Sequence, residues 1–380
     1  MTLSWTRRGE WLEAMPGRTV TSAADPDAAL DEWLLGTAHM PEKLLNRLRR
    51  EDGVRRAGDR VRLKLFPDRE PGIPPRAAEL AVLYEDDFCL VVHKPAGMAV
   101  HPDGGKDASS AVTLDHAVAA HYTLSGEQCA VRHVHRLDKD TTGPVLYAKN
   151  EFALLRLDEE MRHKAISRRY AAIVYGEVPA GLKVIDLPIG RDRHHAARRR
   201  VSPGGQQAVT RIVDREVWKG ASLVRLELET GRTHQIRVHL SHMGHPLIGD
   251  ELYGQDGQGN QGRKSGAGGA ARQSPKPAGR TGTDGGVRRQ DWRDRRDRQS
   301  GSRGTQPAGT EGRNTSADKP AKLLIPFGRQ ALHGESLAFT HPWTGERLDI
   351  ADPWPEDMLR LRNQLGGDTR QAGRTDRPGE

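Results

Sequence analysis

The sequence predicts an α+β fold built on a mixed, largely antiparallel sheet flanked by helices and loops. From Leu80 onward, short apolar runs recur at close intervals with few helical stretches between them. That is the texture of strands joined by hairpins, not of alternating βαβ units. The composition agrees once it is read locally. Only 35% of the 380 residues are hydrophobic, but residues 255–320 hold 14 Lys/Arg, 7 Asp/Glu and 14 Gly, and supply +7 of the formal net charge of +8. One segment dilutes a normal core; the core itself is not thinned.

Residues 1–75 read as a small basic N-terminal region. Within it Glu42 to Arg50 (EKLLNRLRR) sets Leu44, Leu45 and Leu48 at helical spacing among arginines, which predicts a short basic amphipathic helix. Asp52-Gly53 turns the chain, and Arg60 to Leu65 (RVRLKL) alternates as a half-buried strand. Pro71, Pro74 and Pro75 mark a linker. The region fits a helix–strand cap with solvated arginines as well as it fits a module that touches RNA.

A larger domain begins at 76 and runs to 254. Leu80 to Tyr84 and Phe88 to Val92 flank Glu85-Asp86-Asp87 as a hairpin. Leu114 to His121 reads as a short helix and Gly143 to Ala148 as a strand. Asn150 caps a further helix carrying Phe152, Leu155 and Met161. Strands follow at Tyr170 to Tyr175, Thr210 to Val213 and Leu223 to Leu228, and a helix from about Thr233 to Met243 has Ile236, Leu240 and Met243 as its apolar stripe.

Residues 255–320 have only Val287 and Trp292 as large apolar side chains, too few to offset the entropy of ordering the segment, so disorder is expected. Gly257-Gln258-Gly259-Asn260-Gln261-Gly262 matches a dinucleotide fingerprint, but no strand precedes it and no helix follows. Arg/Gly-rich sequence can track an RNA backbone; a solvated expansion fits equally well, and the segment stays unassigned. It reads as an insertion, since residues 321–365 return to ordered texture, with strands at Gln330 to Thr340 and Arg347 to Ile350. A disordered tail, 366–380, closes the chain.

Several classes are excluded. Cys89 and Cys129 are the only cysteines, too few for a disulfide framework, and no close Cys/His cluster offers a zinc site. No apolar run approaches the ~18 residues that span a membrane. The opening MTLSWTRRGEWLEAM lacks the apolar stretch of a signal peptide. The expectation is a cytoplasmic protein without membrane contact.

Chemistry concentrates in Arg132 to Gly143 (RHVHRLDKDTTG). Serine hydrolase and P-loop patterns are absent, which leaves a carboxylate as the best candidate for the reactive group. Asp138-Lys139-Asp140-Thr141-Thr142 satisfies the D-x-D-x-T loop of aspartate-based phosphatases. That loop should end a buried strand, whereas Arg132 to Leu137 is polar. A late motif beginning at Gly249-Asp250 has Gly254 where a second acid is expected.

A second pattern covers more of the chain. His135-Arg136-Leu137-Asp138 followed by Asp140-Thr141-Thr142-Gly143 resembles the signature of RluA-type RNA pseudouridine synthases. Leu83 to Asp87 and Lys94 to Pro102 (KPAGMAVHP) resemble that family's first hairpin. Gly231 to Leu240 (GRTHQIRVHL) and Gly244 to Asp250 (GHPLIGD) resemble its later motif. Arg329 to His333 and His341-Pro342 to Glu346 resemble its closing strands. The blocks keep the family order from about Leu80 to Pro355.

The resemblance implies a pseudouridine synthase fold and an enzyme that breaks the uridine C1′–N1 bond, turns the uracil and rejoins it through C5, with no metal or other cofactor. It implies Asp138 as the catalytic carboxylate, acting as nucleophile at C1′ or in elimination at the sugar. A buried carboxylate needs a cation to keep its charge, and the resemblance names Arg237. Arg237 lies about 100° around the helix from Ile236, off the packed face. Tyr170 matches the tyrosine that stacks on the target base. Arg136 matches a residue that aids base flipping by filling the vacated stack. His135 reads as structural or RNA-facing. Residues 40–65 resemble, loosely, the small RNA-binding module ahead of the catalytic domain in many relatives. The implied partner is structured RNA, ribosomal or transfer, and the implied state is a monomer. The alternative from another class is a non-catalytic RNA-binding or RNA-remodelling protein on a synthase scaffold, which the basic insertion motivates.

Overall fold

The N-terminal region opens with a hairpin, β1 (Trp5–Arg8) and β2 (Trp11–Ala14), that sequence periodicity did not show. A single turn α1 (Arg18–Thr21), helices α2 (Pro26–Gly36) and α3 (Glu42–Arg50), and a second hairpin, β3 (Val54–Ala57) and β4 (Arg60–Leu63), follow. The strands form one sheet in the order β1-β2-β4-β3. α2 begins where the Asp25 side chain accepts from the Asp27 and Ala28 N–H groups, with Pro26 in its first turn. α3 is the helix read from EKLLNRLRR, and it buries Leu44, Leu45 and Leu48. Its arginines are partly spoken for: Arg47 donates to Glu151 at 2.6 Å, and Arg49 pairs with Asp31.

The computed structural model describes residues 3–102, 111–254 and 325–366. The disorder expected for 255–320 and for 367–380, and the fingerprint at 257–262, lie outside the described residues.

Two sheets organise the remainder. β5 (Ala81–Glu85), β6 (Cys89–Lys94) and β7 (Gly143–Ala148) form a three-stranded antiparallel sheet, with α4 (Leu114–Ser125) inserted before β7. α5 (Glu151–Arg162) starts at Asn150, whose side chain accepts from the Ala153 N–H at 2.8 Å, the cap read from sequence. Next come β8 (Ser167–Tyr175), β9 (Val184–Asp186), the pair β10 (Ile189–Arg191) and β11 (Arg199–Val201), β12 (Val209–Trp218), β13 (Ala221–Leu228) and α6 (Gln235–His242). β14 (Leu332–Thr340), β15 (Arg347–Ala351) and α7 (Glu356–Gly366) close the fold. The second sheet has the order β15-β14-β8-β13-β12-β9, antiparallel throughout, so β14 returns late in the chain to pair with β8, and β15 pairs with β14.

Three details correct the sequence reading. α6 is shorter than expected, because His234 sits at φ 60° and starts the helix late. Met243 is exposed and takes no part in its apolar stripe, whereas Ile236 and Leu240 pack with Tyr170, Ala172 and Val174. Gly366, read as the start of the tail, is the last residue of α7.

The two sheets meet just before β7. Thr142 bridges His333 in parallel, and the Gly334 N–H donates to the Thr142 carbonyl at 2.8 Å. Only glycine allows this approach. Gly143 has φ 140°, and a Cβ on it would lie 2.8 Å from the Gly334 Cα. Elsewhere an aromatic core joins the N-terminal region to the first sheet. Phe88 stacks on Trp343 at 6.1 Å and meets Trp5, Phe66 and Phe152 edge-on.

Asp86 closes that core. Its Oδ1 accepts from the Phe88 and Cys89 N–H groups at 2.8 and 2.7 Å, while Oδ2 accepts from the Tyr84 hydroxyl and lies 2.6 Å from His341 Nε2. Burial alone would push this carboxyl up; His341 and the two backbone donors outweigh it and hold it below its ordinary value. A depressed carboxylate adds stability above its unfolded pKa and loses it as pH falls through the folded one. Asp86→Ala is therefore expected to cost about 3 kcal/mol in urea unfolding at neutral pH. The gap between variant and wild type should narrow as pH drops below about 4. A gap that stays constant from neutral to pH 3 would contradict this role.

Candidate active site

The polar cluster at 132–143 folds as a tight turn leading into β7. Thr141 N–H donates to the Asp138 carbonyl at 3.1 Å, and the turn is gripped from both sides. From the first sheet, the fully buried Lys94 donates its ammonium protons to the carbonyls of Pro95, Met98 and Lys139, all within 2.8 Å. Burial pulls this lysine down to about 7, against the carboxylates of Asp140 and Asp138. From the segment leading into β14, Arg329 donates to the Asp140 carbonyl at 3.2 Å while its Nε and Nη2 hold Asp357. Gln330 Nε2 donates to the Thr141 hydroxyl at 3.2 Å, and the Thr142 hydroxyl lies 2.9 Å from His333 Nδ1. The loop precedes a buried strand instead of following one, the reverse of what the D-x-D-x-T phosphatase reading requires.

Asp138 emerges from this turn into a cavity of about 290 Å³. Arg136, Tyr170 and Arg237, the other residues singled out from sequence, line the same cavity. Arg237 Nη1 donates to Asp138 Oδ2 at 3.0 Å. The opposite edge of the guanidinium is held by a second carboxylate: Nε and Nη2 donate to Asp250 Oδ2 and Oδ1 at 2.8 and 2.9 Å. Beneath it lies the Tyr253 ring, 5.1 Å away. Burial disfavours the arginine's charge, but Asp250 and then Asp138 more than compensate, so its pKa is raised.

The two carboxylates differ in what remains free. Asp250 has a fully buried side chain, and its Oδ1 also accepts from the Leu252 and Tyr253 N–H groups at 3.0 Å. It is saturated by protein donors. The Asp138 side chain keeps 23% exposure, and among the described residues its Oδ1 accepts no hydrogen bond and has His234 Nε2 as an ion-pair neighbour at 4.0 Å. Asp138 is thus the carboxylate with a lone pair open to the cavity, and Asp250 is an anchor. The phosphatase reading would have spent Asp250 on a metal.

Tyr170 is only 5% exposed and shares a sheet face with Ala172 and Val174. Arg136 is exposed, with Nη1 3.5 Å from His101 Nε2. His135 turns inward: its Nε2 accepts from the Leu146 N–H at 3.3 Å, and burial, then Arg168, hold the ring near 3, so it is neutral. That fits the structural alternative read from sequence. The rim at 231–234 is fixed by Gln235, whose Oε1 accepts from the Thr230 hydroxyl and Arg232 N–H, and whose Nε2 donates to the Val209 carbonyl.

Sequence reasoning did not assign Asp250, Tyr253, Lys94 or Arg168. Asp250 lay in a quoted block and was legible only as a late acid three residues before a tyrosine. Lys94 preceded Pro95 in another block, and nothing in sequence marks a lysine as buried.

A family model described as RNA pseudouridylate synthase matches residues 88–242. The chain is 43% identical over 248 residues to the uncharacterized RNA pseudouridine synthase YhcT of Bacillus subtilis, covering 65% of this chain and 79% of that protein. It is 33% identical over 348 residues to ribosomal large subunit pseudouridine synthase D of Vibrio parahaemolyticus, covering 91% and 89% respectively. The protein of that name from Vibrio vulnificus is 35% identical over 300 residues, covering 78% of this chain and 74% of its own.

The buried grip of Lys94 yields an expected outcome. Lys94→Met strands three carbonyls, one of them in the turn that carries Asp138. It should lower unfolding free energy by about 2–4 kcal/mol. A loss well under 1 kcal/mol in chemical denaturation would show that the turn is held by other contacts.

Proposed function

Because this chain belongs to the RluA-type family of RNA pseudouridine synthases, we propose that it isomerises specific uridines of ribosomal RNA through Asp138. The enzyme class, an isomerase, comes with the family. The choice of RNA and the roles of individual residues are our reading. The observation that carries it is the asymmetric sharing of Arg237, which leaves Asp138 Oδ1 without a hydrogen bond among the described residues, on a side chain that lines the cavity.

In this reading the Asp138 carboxylate meets the sugar, either adding to C1′ or taking the neighbouring 2′ proton as the C1′–N1 bond breaks. Arg237 keeps it ionised and oriented, at no cost of reorganisation during the reaction because Asp250 already holds the guanidinium. Tyr170 lies beneath the base, with aliphatic neighbours behind it. Arg136, exposed at the mouth, occupies the gap that the extruded nucleotide leaves in the stack. Ribosomal RNA is favoured over transfer RNA because relatives aligned over most of their length are named for the large ribosomal subunit. The isomerisation is redox-neutral and transfers no group, so these side chains supply all of its acid–base and nucleophilic needs. We take the working unit to be a cytoplasmic monomer; among the described residues no helix is long and apolar enough to cross a membrane.

The test is transcriptome-wide pseudouridine mapping in the host with and without the gene, complemented by wild type or Asp138→Asn. Loss of one or a few ribosomal RNA sites, restored by wild type and not by Asp138→Asn, is the expected result. Restoration by Asp138→Asn would remove Asp138 from the chemistry and favour a non-catalytic RNA-remodelling role. Sites confined to transfer RNA would overturn the choice of substrate.

A further inference from the structure

Among the described residues, one buried cation in the cavity is left without a partner. Arg168 is only 8% exposed and lines the same cavity as Asp138 and Tyr170. Every other strongly buried arginine or lysine near the site is committed: Arg237 to two carboxylates, Arg329 to Asp357, Lys94 to three carbonyls. Among the described residues Arg168 has no ion pair and no side-chain hydrogen bond, and its Nε is buried and unsatisfied. An arginine in that state is costly for stability alone, so it must be accounted for by what enters the cavity.

Its position indicates what that is. β8 alternates: Arg169 is exposed, whereas Arg168 and Tyr170 are buried and point to one face. Side chains two apart on a strand stand about 7 Å from each other, so a ring lying on Tyr170 presents its edge toward Arg168. The guanidinium lies over Gly231, where a Cβ would come within 2.9 Å of Nη1; glycine there leaves it room. A phosphodiester would meet the exposed arginines of the rim, Arg136 and Arg232, before reaching this depth. The base is the part of a flipped nucleotide that goes deepest.

We propose that Arg168 receives the uracil carbonyl oxygens and holds the negative charge that the base carries while detached from the sugar. This rests on the reading of Asp138 as the reacting carboxylate. When C1′–N1 breaks, its electron pair leaves with the ring, giving a uracil anion spread over N1, O2 and O4. C1′ is satisfied by a bond to Asp138 or by loss of the 2′ proton to Asp138. In the second stage C5 bonds to C1′, Asp138 departs or returns the 2′ proton, and the proton on C5 is replaced by one on N1. Charge builds on the base only between these stages, and a planar, permanently charged donor fork suits it.

The experiment measures single-turnover rearrangement by nucleoside mass spectrometry on RNA from cells lacking the gene. A second RNA comes from the same cells grown on 5-fluorouracil, whose anion is intrinsically more stable; there C5 has no proton to lose, so after C5 bonds to C1′ the N1=C6 bond takes up water, and conversion is read as the hydrated C5-linked nucleoside. Wild type, Arg168→Met, Arg168→Lys and Asp138→Asn are compared. Arg168→Met is expected to slow uridine conversion by about 100-fold, the effect of removing one preorganised donor. It should slow 5-fluorouridine at least about tenfold less, since a better leaving group needs less help. RNA affinity should stay within about threefold, Arg168→Lys should fall between, and Tm should hold or rise because an unpaired buried charge is gone. Equal slowing on both RNAs, a rate near wild type, or a Tm drop beyond about 4 °C would overturn the proposal. If wild type is inactive or Asp138→Asn matches it, the reading of Asp138 fails first, and the two failures are told apart.

Discussion

The site is organised around one guanidinium shared by two carboxylates. Arg237 has more donors than Asp138 can use, and the surplus is taken by Asp250, which the Leu252 and Tyr253 N–H groups fix in turn. Without the second carboxylate, a long flexible side chain would have to be ordered by Asp138 alone, at an entropic cost that a partly exposed ion pair rarely recovers. With it, Arg237 is pre-placed and its charge is assured. Much nearby geometry serves that arrangement. α6 starts late at His234, which brings Arg237 into its first turn. Gly249, at φ 73°, lets the Arg329 backbone come close enough that a Cβ would lie 2.0 Å from its carbonyl oxygen.

A second constraint is that the Asp138 turn belongs to neither sheet. Lys94 holds it from the first sheet, and Arg329, Gln330 and His333 hold it from the chain at the start of β14. Residues nearly 190 positions apart in sequence therefore fix the Asp138 loop. The long separation between Gly254 and Ile325 is compatible with this, because closure cost grows only slowly with length and β14 pairs with β8. The Gly143–Gly334 contact is the seam, and its tightness transmits the position of one sheet to the other.

What was legible in the sequence follows from range. Local signals were readable: the Asn150 cap, the leucines of α3, the alternation of β4, the hairpin around Asp86. Helical spacing set Arg237 apart from the Ile236 and Leu240 stripe, but did not show that it is itself buried, at 7% exposure. The β1–β2 hairpin escaped because β2 buries Leu12, Glu13 and Ala14 in succession and so shows no alternation, unlike β4 of the same length. α7 went unread, although Met358, Leu361 and Leu365 sit at helical spacing and pack beneath Trp218 and Ile325. Met243 was misassigned by extending a stripe one turn too far. Partnerships across long separations were invisible: nothing in RRY distinguishes a buried, unpaired Arg168 from its exposed neighbour Arg169. The motif likeness supplied the residue identities, and geometry supplied the distinction between the carboxylate that is anchored and the one left open.

The claim that Asp250 acts on the reaction only through Arg237 can be measured directly. A double-mutant cycle on the single-turnover isomerisation rate, with Arg237→Met, Asp250→Asn and the pair, isolates their coupling. The account predicts that each single change slows the reaction strongly and that the second adds little once the first is made. Losses that multiply, so that the pair is slower by the product of the two, would mean that Asp250 reaches the chemistry by another route and that the shared guanidinium is not the pivot of the site.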